Sequence, residues 1–200
     1  MGMGNSEPDG ALSELVDSTL PEFLASVSCR ACYTEIPISV SDGVCDFGAF
    51  RVESRDLSRN LAGCDRAILF AATIGMQADI ARKRAALISS AKALVLDAMG
   101  SACVEALCDS LCTRWRDEYE GLLLRPRYSP GYGDVPLETQ TALLSFLDSK
   151  RKAGIALGDS LLMTPQKSVS AFVGIGRTGC TTKFHDCADC GKTDCAYRLS

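Results

Sequence analysis

Ten residues in the second half of the chain, Arg127-Tyr-Ser-Pro-Gly-Tyr-Gly-Asp-Val-Pro136, set the strongest limit on what it can fold into. Pro130 and Pro136 lack a backbone donor and fix φ, so the stretch can continue neither a helix nor a central strand. It must be an irregular loop of stiff path. Gly131 and Gly133 permit φ > 0 or the close approach of a ligand to bare backbone. Arg127, Tyr128 and Tyr132 add a guanidinium fork and two aromatic faces. Two readings are open at this point. The loop is a wall of a pocket for a small, partly anionic, partly planar ligand, or it is a rigid connector with the tyrosines as packing anchors.

Hydrophobic periodicity arranges the rest of the chain around this loop. Ala11 to about Ser28 reads as a first helix, with Pro21 as a break or second start. Val44–Val52 reads as a short hairpin and Asp56–Ala62 as one or two helical turns. Arg66–Thr73, with Ala-Ile-Leu-Phe-Ala-Ala inside it, is the clearest buried strand. Met76 to about Tyr119 is helical, with breaks expected near Ser89-Ser90 or Gly100. Leu122–Leu124 is a short strand before the loop. Pro136 opens a helix that ends at Gly154 after the cationic turn Lys150-Arg-Lys152. Leu161–Met163 and Ser168–Val173 close the domain as strands. The pattern is α+β: a single domain over residues 11–176, a mostly antiparallel sheet with long helices packed on it. A disordered start (1–10) precedes it and a Cys-rich tail (177–200) follows.

Two hundred residues, 46% of them hydrophobic and 23% charged, suffice for one globular core. A net charge of −4 argues against nucleic acid as a partner. No apolar run reaches the length of a membrane span, and the N-terminus has no basic-then-apolar signal pattern, so a cytoplasmic protein is expected. The basic runs Arg82-Lys-Arg84 and Lys150-Arg-Lys152 read as solvated helix faces.

Eleven cysteines are many for such a chain, and an odd number without a secretory signal speaks against a disulfide scaffold. Cys103, Cys108 and Cys112 lie within the helical pattern as small core residues. Cys29-Arg-Ala-Cys32 is a lone C-x-x-C. The dense group is Cys180, Cys187, Cys190 and Cys195, which could enclose zinc or an iron–sulfur cluster, with His185 as a spare ligand. The spacing matches neither the paired zinc pattern nor the ferredoxin run; a metal site is the favoured reading, with zinc and an iron–sulfur cluster equally open, and a reduced tail of incidental thiols is the alternative. Gly174-Ile-Gly-Arg-Thr-Gly179 satisfies G-x-G-x-x-G, but no βαβ unit follows, and it reads as a flexible exit from the last strand. His185 is the sole histidine, so the core has no histidine-based acid–base chemistry.

Val104, Leu107, Cys108, Leu111 and Trp115 recur at helical spacing and mark a buried face. Glu105 sits at the edge of that stripe, where a carboxylate is costly unless a cation meets it. On spacing alone it pairs with a nearby arginine or bends out to water.

The ordered run of Arg127-x-x-Pro-Gly-Tyr132, the amphipathic helix Leu137–Lys152, Gly154-Ile-Ala-Leu157 and Ser168-Val-Ser170 resembles the activation domain of cobalamin-dependent methionine synthase. The match covers roughly the second half of the chain up to Gly174. The resemblance implies binding of S-adenosylmethionine, with Glu105 at its ammonium and Arg127 at its carboxylate. Backbone at Ser129 and Gly131 would hold the remainder, and Tyr132 would lie against the adenine or sulfonium. It also implies that the chain serves a methyltransferase system rather than being a self-sufficient catalyst. Cobalamin would sit on a partner, a methionine synthase or related corrinoid protein, and a flavodoxin-like or ferredoxin-like donor would supply the electron. The family's early aspartate and late tyrosine find no match here, and the cysteine tail departs from the large enzyme's domain. A different class is an accessory or electron-transfer protein that binds a metal or cluster and keeps the fold without S-adenosylmethionine.

Overall fold

The computed structural model describes residues 10–177. In chain order these form α1 (Gly10–Ser26), β1 (Arg30–Pro37), β2 (Ser39–Ser41), β3 (Val44–Asp46), β4 (Arg51–Glu53), α2 (Arg55–Asn60) and β5 (Cys64–Thr73). There follow α3 (Met76–Ala86), α4 (Ser90–Glu118), β6 (Leu123–Leu124), α5 (Thr139–Leu147), α6 (Ser149–Ala153), β7 (Ala156–Leu157), β8 (Met163–Thr164) and β9 (Ser168–Gly176). The main sheet has the order β1-β5-β9-β6 and every pairing in it is antiparallel. A small sheet of β2, β3 and β4 and the β7–β8 ribbon stand beside it.

The continuous apolar run of β5 follows from burial on both faces of the sheet. Ala67, Leu69 and Ala71 join Leu57, Leu61, Leu143, Leu147, Ile155 and Phe172 on one side. Ile68, Phe70 and Ala72 join Cys108, Cys112, Trp115, Val173 and Ile175 on the other. This is the two-residue period of a strand applied to two apolar layers. On the second side lies α4, 29 residues and about 43 Å long. Trp115 anchors it, with its ring edge-on to both Phe70 and Tyr33 at 5.2 Å. Each such large side chain contributes about 1.5–3 kcal/mol by leaving water. A third cluster of Phe23, Ile74, Ala78, Ala85, Leu96 and Val104 binds α1 and α3 to the N-terminal half of α4.

The break expected near Ser89-Ser90 is present: Ser89 leaves the helical region and its hydroxyl accepts from the Lys92 amide at 3.2 Å. Gly100 does not interrupt α4; the Lys167 side chain packs over it, and an added Cβ would lie 3.1 Å from its Cγ. Pro21 does not break α1 either. Both Pro21 and Asp17, whose carbonyl loses its helical donor, are exposed, so water can satisfy that oxygen. The helix after the loop starts three residues later than Pro136 and is divided at Asp148, which has φ 51° and pairs with Arg151. The last strand runs on through Gly176, so Gly174 is not a flexible exit. A Cβ at Gly174 would lie 2.7 Å from Cys64 Sγ and 2.8 Å from Leu61 Cδ2, which makes it a close-packing position within the sheet.

Candidate ligand-binding site

The loop is laid along the edge of β9 by backbone pairing before its side chains come into play. Arg125 N donates to Gly174 O at 2.8 Å, and Tyr128 and Phe172 exchange two backbone hydrogen bonds of 2.9 Å. Between these anchors the two arginines diverge. Arg125 is buried and reaches Ala62 O at 2.7 Å, whereas Arg127 reaches across to α4. There its Nη2 meets Glu105 Oε2 and its Nη1 meets Asp109 Oδ1, each at 2.5 Å. Glu105 and Asp109 are one helical turn apart and so present their carboxylates on one side of α4.

The rest of the loop is closed on itself. Gly131 N donates to Val135 O at 3.0 Å, Tyr132 N to Ser129 O at 3.2 Å, and Val135 N to Tyr132 O at 3.1 Å. Gly133 has φ 57°, and a Cβ there would collide with the Tyr128 hydroxyl and lie 2.6 Å from an Asp56 carboxylate oxygen. Asp134 then fastens the loop to α2. Its carboxylate accepts from the Arg55 amide at 2.8 Å, the Asp56 amide at 3.2 Å and the Ser54 hydroxyl. An anion at the N-terminal amides of a helix also meets the favourable end of its dipole. The Ser54 hydrogen bond is the chief reason that the Asp134 carboxyl titrates below its ordinary range.

Tyr128 is buried and Tyr132 is exposed, with the two rings edge-on at 5.4 Å. Burial, followed by the charges of Asp56 and Asp134, pushes the Tyr128 phenol up to about 12. It is therefore a neutral packing and hydrogen-bonding group at physiological pH. Beside Arg127 a cleft of about 410 Å³ is lined by Asp109, Cys112, Arg116, Leu124, Arg125, Pro126, Arg127 and Val173. Three guanidiniums and one carboxylate give it a cationic lining. Burial pushes the Cys108 thiol up to about 12 and raises that of Cys112, with Arg127 opposing the shift in both cases. Neither is a thiolate at neutral pH, so neither is a ready nucleophile. Burial alone would lower the Arg127 pKa, but the hydrogen bonds to Asp109 and Glu105 outweigh it and the net shift is upward.

Of the residues singled out in the sequence, Arg127 and Glu105 are brought into direct contact. Ser129, Gly131 and Tyr132 lie together on the loop; the hydrogen-bonding groups of Ser129 O and Gly131 N are turned to its own closure. The pairing of Glu105 with an arginine, one of the two outcomes its spacing allowed, is the observed one. Two further residues were missed. Asp109 could have been found as the i+4 neighbour of Glu105, whereas nothing local marks Asp134 as the cap of a helix some eighty positions earlier. The four tail cysteines and His185 lie outside the described residues. Among the described residues no group of three or more His, Cys, Asp or Glu could hold a metal ion, and no helix is long and apolar enough to cross a membrane.

The described residues form an α+β domain that sets an arginine against two carboxylates between a stiff Pro-Gly loop and a helix. Residues 60–196 match the family described as vitamin B12 dependent methionine synthase, activation domain, and the chain belongs to that family. In fold it is similar to a crystal structure of the MetH reactivation domain bound to AdoHcy, with a TM-score of 0.63 at 17% identity over 82% of this chain. The chain spans 64% of that structure's length. No curated protein matches the chain.

Proposed function

We propose that this chain binds S-adenosylmethionine between α4 and the 127–132 loop and supports reductive remethylation of cobalamin carried by a methionine synthase or related corrinoid protein. The observation that carries the reading is the Arg127–Glu105 pair at the root of the loop. It sets a carboxylate-binding fork beside an ammonium-binding carboxylate, the complement of an amino-acid zwitterion. Arg127 takes the ligand's carboxylate and Glu105 its ammonium. Tyr132, exposed at the loop tip, covers the adenine or the sulfonium, and the backbone groups of Ser129 and Gly131 that the loop's closure does not use, Ser129 N and Gly131 O, hold the remainder. S-adenosylmethionine supplies the reactive methyl and the partner's reduced cobalamin accepts it, so this chain contributes binding and orientation alone. An electron donor of flavodoxin or ferredoxin type completes the system.

Titration calorimetry with S-adenosylmethionine tests the site. Arg127→Ala weakens binding by about 2–5 kcal/mol where the ligand carboxylate is buried against the guanidinium, whose side chain is 24% exposed. Unchanged affinity in a folded variant rejects the site, and absence of binding by the unaltered protein rejects the function.

A further inference from the structure

Arg127 has two terminal nitrogens, and the chain's own carboxylates fill both. Nη2 is held by Glu105 and Nη1 by Asp109. A zwitterionic ligand gives Glu105 a new cation to hold, but it brings a carboxylate that needs the position of Asp109. We infer that Asp109 is an internal competitor for the ligand carboxylate, released from Arg127 on binding, and that it sets both the affinity of the site and its selectivity for ligands with an α-carboxylate. This rests on the assignment of Arg127 and Glu105 made above.

Three observations separate Asp109 from Glu105 in this role. Asp109 lines the 410 Å³ cleft beside the guanidinium, and Glu105 does not. The Asp109 side chain is 69% exposed against 55% for Glu105, so its released carboxylate regains water at little cost. The cleft also holds Arg116, which lies about two turns further along α4 on the same side and offers the freed carboxylate a second cation. Arg127 itself, with 24% of its side chain exposed, is too enclosed to go without a counterion. An internal carboxylate meets that need and makes the site discriminate. A ligand that lacks a carboxylate leaves the Asp109–Arg127 pair in place and gains nothing from breaking it.

The test is calorimetric titration of the full chain and of Asp109→Asn and Asp109→Ala with two probes, S-adenosylmethionine and 5′-methylthioadenosine, which lacks the amino-acid group. Both variants tighten S-adenosylmethionine by about two- to fivefold, the range expected when a partly exposed ion pair no longer has to be broken. The affinity for 5′-methylthioadenosine stays as in the unaltered chain. In an Arg127→Ala background the gain disappears, because there is no fork left to compete for. Unchanged or weaker S-adenosylmethionine binding in both Asp109 variants overturns the inference, as does equal tightening of both probes. If the unaltered chain binds S-adenosylmethionine and only the Asp109 effect is missing, the competitor role falls and the site stands. If it binds neither probe, the site assignment falls as well.

Discussion

The helix and the loop that meet at Arg127 are held in place by different kinds of force. Below Glu105, α4 is fixed by packing: Cys108, Cys112 and Trp115 sink into the Ile68–Phe70–Val173 face of the sheet, and many small contacts share the load. The loop sinks Tyr128 and Val135 into the opposite core layer, but its course between them depends on a handful of directed bonds, namely the paired backbone of Tyr128 with Phe172 and the Asp134 carboxylate on the first amides of α2. Packing tolerates the loss of a little stability without displacement. A directed bond, once lost, releases the segment. One side of the proposed site should therefore fail through unfolding and the other through misplacement.

Trp115→Ala is the largest way to stress the packed side. Trp115 is 1% exposed, and its removal costs about 3–5 kcal/mol of stability, since the sheet and helix can collapse only partly into the space. Chemical denaturation measures that loss. Below the melting transition, S-adenosylmethionine affinity should change by much less than the stability does. A variant that keeps its stability would contradict the account of α4 as anchored by this ring.

Gly133→Ala stresses the loop side. The left-handed φ and the collision with Tyr128 cost about 1–3 kcal/mol, less than the loss of Trp115. The accompanying shift of the loop falls on Tyr132 and the Ser129–Gly131 backbone, so ligand affinity should drop in larger proportion than stability. If affinity is kept while stability falls, the loop does not position the ligand.

This division also decides how much could be read from the sequence. The β5 core was legible because Ala67–Ala72 is apolar on both faces, and the break before α4 because Ser89-Ser90 interrupts the helical pattern. β1 was not. It is an edge strand whose Arg30, Tyr33 and Glu35 face water, and it closes on Pro37, so it carries little alternating signal. Arg127 and Glu105 were legible as members of a motif and a helix edge, but only the fold shows that they touch. Asp148 gave no warning that it would take a left-handed conformation and split the helix at Ser149. Asp134 was illegible in principle, since its meaning depends on amides at Arg55 and Asp56 that only tertiary structure brings near.

Asp134 offers the finest test, because its contribution can be turned down with protons. Its carboxyl is held below the ordinary value of 3.8, the Ser54 hydroxyl being the main cause, with the Arg55 and Asp56 amides adding to it. The folded protein therefore resists protonation at this site more than the unfolded chain does. The stabilisation is complete at neutral pH, declines once pH falls below the unfolded value near 3.8, and is gone below the folded one. Asp134→Asn removes the charge at all pH values and costs about 0.3–1 kcal/mol at pH 7, the usual worth of a carboxylate at the N-terminal end of a helix. Denaturation of both proteins from pH 7 to pH 3 should show the difference between them shrinking as the acid limb is reached. A constant difference would mean that the carboxylate charge is not what ties this loop to α2, and the loop would then be held by its backbone pairing to β9 and the burial of Tyr128 and Val135.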